Sequence, residues 1–289
     1  MNTFNPEELK KLYIPSPDSH KGQNGKVMVI GGSHLFHAAS LWSLTIVSRI
    51  VDMVFYSSVP ENNQIVEEAK KEFRNGIVVR RDDIESYIEE SEVVLLGPGM
   101  LRAKEVSHKE IEMSLEQINN LEDEGEQSYF LTNYLLKKYP QKKWVIDAGA
   151  LQMIDPQWLL QLNGNVIVTP HPLEFERVFG VKATEETIVE MAKKYQVIIL
   201  VKGEKDIVCS PDTCMEIGGG NAGMTKGGTG DVLAGLVAAL ASKNELFLSA
   251  TAGSYINKKA GEALFEKVGY YFNASDLADE IPKVMKQSL

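Results

Sequence analysis

The chain has 289 residues, 44% hydrophobic and 24% charged, which excludes a small disulfide-stapled module and a largely disordered chain. Its formal charge of −10 sets non-specific nucleic-acid binding well behind, because that function needs a basic surplus. The longest mainly apolar run, 232–241, is about half of what a membrane span requires.

The N-terminus, Met1-Asn2-Thr3-Phe4-Asn5-Pro6-Glu7-Glu8, has neither a basic start nor an apolar stretch. No signal peptide is expected, and the expected compartment is cytoplasmic. In chain order, a β-branched run at 26–30 stops at Gly31-Gly32 and is followed by a helical pattern over 38–49. A second strand is predicted at 51–57 and a helix at 61–72, after Pro60. The run 93–96 stops at Gly97-Pro98-Gly99. Acidic 121–126 is predicted as a surface loop between two helix-like segments. The run 144–146 stops at Asp147, and 166–168 stops at Thr169-Pro170-His171-Pro172, with a helix over 174–178. The run 197–201 stops at Lys202-Gly203. Segments 207–209 and 213–217 flank a Ser-Pro-Asp turn and read as a hairpin. Helices close the chain at 231–242, apolar nearly all round, and at 249–266.

The strand runs are continuously apolar, as in parallel strands buried on both faces. Alternating strand and helix implies an α/β fold: one domain over 1–289, with a mainly parallel central sheet, helices on both faces and an edge hairpin. Cys209 and Cys214 have no metal-binding spacing. They read as two strand thiols around a turn rather than as a disulfide.

Nearly every strand ends in Gly, Pro, Asp, His or Lys, and ligands of open α/β sheets bind beyond the carboxyl ends of the strands. Gly227-Gly228-Thr229-Gly230-Asp231 runs straight into an apolar helix. Small residues let an oxygen anion approach backbone amides at a helix N-terminus. Asp231 there can take a proton from a hydroxyl attacking phosphorus. The plainer reading of Asp231 is an N-cap, but four Gly and Thr residues exceed what a cap needs. No Gly-Lys-Ser/Thr follows, so this is not a Walker A loop. Lys202 at a strand end can reach phosphates. The two prolines around His171 stiffen its loop, and Glu174 opens a helix. His20, His34, His37 and His108 read as ordinary surface or loop residues.

These segments, in this order along almost the whole chain, resemble the ATP- or ADP-dependent NAD(P)H-hydrate dehydratases of the ribokinase-like superfamily. The resemblance rests on His20-Lys21-Gly22 with Gly25 to Ser33, on Gly97-Pro98-Gly99, on Asp147-Ala148-Gly149-Ala150-Leu151, and on Thr169-Pro170-His171-Pro172-Leu173-Glu174. It rests further on Lys202-Gly203-Glu204-Lys205-Asp206 and on Gly220-Asn221 through Gly235. It implies repair of hydrated NADH or NADPH: the ring hydroxyl is phosphorylated by ATP or ADP, and phosphate then leaves. By position, Asp231 deprotonates the hydroxyl and the amides around Gly228 and Gly230 steady the phosphoryl group. Lys202, Gly203, Glu204, Lys205, Asp206, Asn221, Thr229 and Gly230 bind nucleotide. Ala39, Gly99, His171, Glu174 and Asp231 bind the damaged cofactor. Mg²⁺ is expected, with no protein ligands assigned to it. A homo-oligomer, such as a tetramer, and a separate epimerase protein are expected, with neither nucleic acid nor membrane as partner.

The chain departs from the family pattern at 34–39, where the wall is bulkier, at Gly149 in place of Asp, at Leu173 in place of Gly, and at Lys226 beside the anion hole. Two rival functions remain at this stage. One is a ribokinase-like kinase of a hydroxymethylpyrimidine or thiazole; the other is a nucleotide-binding sensor without catalysis.

Overall fold

A computed structural model describes residues 1–103 and 111–289; His108 lies outside them. Among the described residues, ten strands form one sheet: β1 (Asn2–Thr3), β2 (Lys26–Ile30), β3 (Met53–Ser57), β4 (Ile77–Val78), β5 (Val93–Leu96), β6 (Lys143–Ile146), β7 (Val166–Val168), β8 (Ile198–Val201), β9 (Asp206–Cys209) and β10 (Cys214–Ile217). Their order is β1-β10-β9-β8-β7-β6-β5-β2-β3-β4. All pairings from β4 through β8 are parallel, and β9 is antiparallel to both neighbours.

The period-two alternation of the strands divides the core between two faces. Val27, Val29, Val93, Leu95, Val145 and Ile167 face one apolar layer. Met28, Ile30, Val94, Leu96, Trp144 and Ile146 face the other. The first layer is closed by helices His37–Val47, Thr229–Ala241, Leu246–Val268 and Ala274–Ser288. The second is closed by Ile84–Glu90, Glu124–Lys138, Pro172–Phe179 and Glu185–Tyr195. The predicted buried helix is confirmed: Val232, Ala234, Leu236, Val237 and Ala238 have no exposed surface. Among the described residues, no helix is long and apolar enough to cross a membrane.

Three expectations are corrected. The acidic segment 121–126 is no plain loop. Asp123 accepts the Glu126 amide at 2.8 Å and starts the helix Glu124–Lys138, so its capping geometry outweighs its acidic composition. The hairpin is not the outermost element, because β1 adds to β10 in parallel. Cys209 and Cys214 form a disulfide rather than two thiols. The hairpin register sets them directly opposite each other, with Cα atoms 4.1 Å apart, so the sulfurs meet.

Strand order reverses between β2 and β5, which opens a crevice beyond their carboxyl ends. The loops after these strands interlock: the Gly32 amide donates to Pro98 O at 2.7 Å. Gly99 has φ +73°, and a Cβ there would lie 2.4 Å from Phe36 O. Only glycine lets the two loops touch this way.

Candidate active site

The N-terminus of helix Thr229–Ala241 stands between two cavities. The larger, about 890 Å³, is lined by His171, Lys202 to Asp206, Gly218 to Asn221, Thr229, Gly230 and Lys258 among others. The smaller, about 390 Å³, is lined by Phe36, Ala39, Gly99 to Arg102, Ala148, Gly149, Gln152 and Asp231. Gly230 thus faces one space and Asp231 the other.

The helix start is built on Gly228, the N-cap, with φ 95° and no side-chain cap bond. A Cβ at Gly228 would lie 2.4 Å from the Trp42 ring and 2.7 Å from Ala274 Cβ. Asp231 is therefore not the N-cap but sits inside the first turn. Its main chain is held by Ser43, whose Oγ donates to Asp231 O at 2.8 Å. Burial, seconded by the Asp147 carboxylate, pushes the Asp231 carboxyl up to about 7, against the opposing pull of Lys202. A carboxyl at that value exchanges protons near neutrality, as a general base must.

Asp147, at the end of β6, is buried. Its Oδ1 accepts from Thr169 Oγ1 at 2.8 Å and from Lys202 Nζ at 2.8 Å. Burial alone would lower the lysine, but Asp147, Glu174 and Asp231 together raise it, so Lys202 stays a cation. A Cβ at Gly230 would lie 3.4 Å from Lys202 Nζ, which puts this charge beside the helix start.

Ala39, Gly99 and Asp231 are brought together as expected in the smaller cavity, and Lys202, Gly203, Glu204, Thr229 and Gly230 in the larger. Other expected residues are used differently. His171 lines the larger cavity rather than the smaller, and its Nδ1 accepts the Leu173 and Glu174 amides at 3.2 Å. Glu174 is buried and lines neither cavity. Its oxygens accept from the His171 amide at 2.9 Å and Gln152 Nε2 at 2.7 Å, so it closes a capping box. Asp206 turns inward: its oxygens take the Gly203 amide at 2.9 Å, Ser254 Oγ at 2.7 Å and Lys258 Nζ at 3.2 Å. It shapes the loop 203–206 from beneath. Lys205 is exposed and pairs with Glu216 at 2.8 Å. Asn221 accepts the Gly223 amide at 2.9 Å and donates to Gly261 O at 2.7 Å, bracing the glycine run.

The departures also find their places. A Cβ at Gly149 would lie 2.0 Å from Met100 O, so the loop after β5 occupies the space of a side chain at 149. Lys226 is engaged within the chain, its Nζ bonded to the carbonyls of Tyr270 and Phe272. His34 pairs with Glu124 at 2.8 Å, and Leu173 is largely exposed. Sequence reasoning put Asp147 at the strand-end crevice but gave it no role, and it left Lys258 out of the site. The available signals were a carboxylate at a strand end and a lysine between apolar Ile256 and Ala260 on one helix.

Among the described residues, no three His, Cys, Asp or Glu side chains converge to hold a metal ion.

A family model described as NAD(P)H-hydrate dehydratase matches residues 27–283. The chain is 34% identical over 287 residues to a Nitrosopumilus maritimus protein named ADP-dependent (S)-NAD(P)H-hydrate dehydratase, covering 96% of this chain and 95% of that one. It spans about half the length of archaeal relatives named bifunctional NAD(P)H-hydrate repair enzymes, 52% of the one from Methanocaldococcus jannaschii. An Enterococcus faecalis ribokinase-like superfamily protein superposes with a TM-score of 0.82 at 20% identity, over 99% of this chain and 96% of that one. The Bacillus subtilis ADP/ATP-dependent NAD(P)H-hydrate dehydratase, co-crystallized with ATP/Mg²⁺, gives 0.79 at 22% identity, over 100% and 99%. These two structures establish the fold as ribokinase-like.

Proposed function

We propose that this chain, which belongs to the NAD(P)H-hydrate dehydratase family, acts as one catalytic unit that dehydrates hydrated NADH or NADPH at the expense of ADP or ATP. The observation that carries the reading is Asp231. Its carboxyl is poised near neutrality in the smaller cavity, one residue from the glycine that faces the larger one.

In this reading the hydrated nicotinamide ring enters the smaller cavity and the nucleotide the larger. Asp231 accepts the proton of the ring hydroxyl as its oxygen attacks the terminal phosphorus. The amides at Gly228 to Gly230, at the positive end of the helix, and Lys202 face the negative charge of the transferring group. ADP or AMP leaves. The ring nitrogen lone pair then expels phosphate, and loss of a proton from the adjacent carbon restores the dihydronicotinamide. Mg²⁺, if bound with the nucleotide, would supply neutralisation of the phosphate charge beside Lys202 and the Gly228 to Gly230 amides. The relative's name favours ADP as donor. A homo-oligomer and a companion epimerase belong to the same proposal.

The test mixes the protein with hydrated NADH, Mg²⁺ and either ADP or ATP, and follows the dihydronicotinamide absorbance. Nucleotide-dependent recovery is expected, and Asp231→Asn is expected to abolish it while nucleotide still binds. Nucleotide consumption with a stable phosphate ester accumulating on another alcohol would instead make the chain a small-molecule kinase. Full activity in Asp231→Asn would remove Asp231 as the base.

A further inference from the structure

The lysines around the larger cavity all have partners within the chain: Lys202 holds Asp147, Lys205 holds Glu216 and Lys258 holds Asp206. Lys226 holds two backbone carbonyls. Arg102 differs. It is exposed, and among the described residues it is the one cation lining the smaller cavity. Among the described residues, no carboxylate lies within ion-pair distance of it. Its backbone is fixed: a Cβ at Gly125, on the buried side of helix Glu124–Lys138, would lie 2.5 Å from the Arg102 carbonyl. The guanidinium therefore projects from an anchored loop in a chain whose formal charge is −10.

Asp231 lines the same cavity. A space of about 390 Å³ holds a nicotinamide riboside but not a whole dinucleotide. With the ring hydroxyl at Asp231, the ribose must point toward the mouth. The next group along the molecule is the diphosphate, which carries its negative charge. A guanidinium matches phosphate oxygens with two parallel donors and keeps its charge at all working pH.

We infer that Arg102 holds the diphosphate of the dinucleotide and thereby selects dinucleotides over phosphate-free nicotinamides. This rests on the proposed function, so the test reads binding without turnover. Dissociation constants are measured by fluorescence for NADH, NADPH and reduced nicotinamide riboside, on the native chain, Arg102→Ala and Arg102→Lys. The native chain is expected to bind NADH at least tenfold tighter than the riboside. Arg102→Ala should weaken NADH and NADPH alike by about tenfold to a hundredfold, leaving the riboside, ATP and the melting temperature unchanged. Arg102→Lys should recover part of the loss. Equal losses for NADH and riboside, or none, would overturn the role of Arg102 while leaving the dehydratase reading intact. A loss confined to NADPH would move the contact to the 2′-phosphate and overturn the diphosphate assignment. No NADH binding by the native chain, with ATP still bound, would overturn the substrate reading and this inference with it.

Discussion

Asp231→Asn has a consequence for stability that is independent of turnover. Its carboxyl is pushed from 3.8 to about 7, chiefly by burial and secondly by Asp147. At about 1.4 kcal/mol per pH unit, ionised Asp231 therefore weighs against the fold by at most about 4 kcal/mol. Because the folded value lies above the unfolded one, this stability is fully present below pH 3.8 and is lost as pH rises through about 7. Linkage gives a loss of about 2 kcal/mol by pH 5 and about 4 kcal/mol by pH 8. Asparagine keeps the shape and removes this titration, and groups remote from Asp231 titrate alike in both proteins. Urea unfolding of native and variant chains at pH 5 and pH 8 reads the difference directly. The variant should be the more stable at pH 8, and the gap should widen by about 2–3 kcal/mol between the two pH values. A gap that stays constant, or that closes with rising pH, would refute the claim that burial holds this carboxyl near neutrality.

Two further outcomes follow from the same geometry. Gly228→Ala forces a Cβ onto Trp42 and Ala274 at φ 95°, and should destabilise by about 3 kcal/mol in denaturant melts. Asp147→Asn leaves Lys202 without its ion pair and should cost about 3 kcal/mol of stability. It also removes a like charge that raises Asp231, so the acid limb of the kcat/KM profile should move to lower pH.

Much of the architecture could be read from residue patterns, because each parallel strand is a short apolar run that stops at a turn residue. The two-residue strands β1 and β4 carry no such pattern; their pairing depends on neighbours far along the chain. The Cys209–Cys214 bond required knowing which residues face each other across the hairpin. At the site, Asp231, Gly228 and Lys202 stood out because glycine close to charge at a strand or helix end has few structural uses. Glu174 was not, since one carboxylate in a first turn serves a cap or a ligand equally well until its oxygens are seen engaged. Asp147 was underrated because its chemistry belongs to a pair, and its partner lies 55 positions away.

In the proposed reaction, the helix start that separates the two cavities would also make the proton and the nucleotide effectors of one another. Phosphate brought against Gly230 adds negative potential beside Asp231 and draws a proton onto it. By reciprocity, protonated chains bind the anion more readily. Left alone, this coupling would fill the very acceptor that the ring hydroxyl needs vacant. Lys202, anchored on Asp147 yet beside Gly230, offsets the arriving charge and keeps that acceptor open.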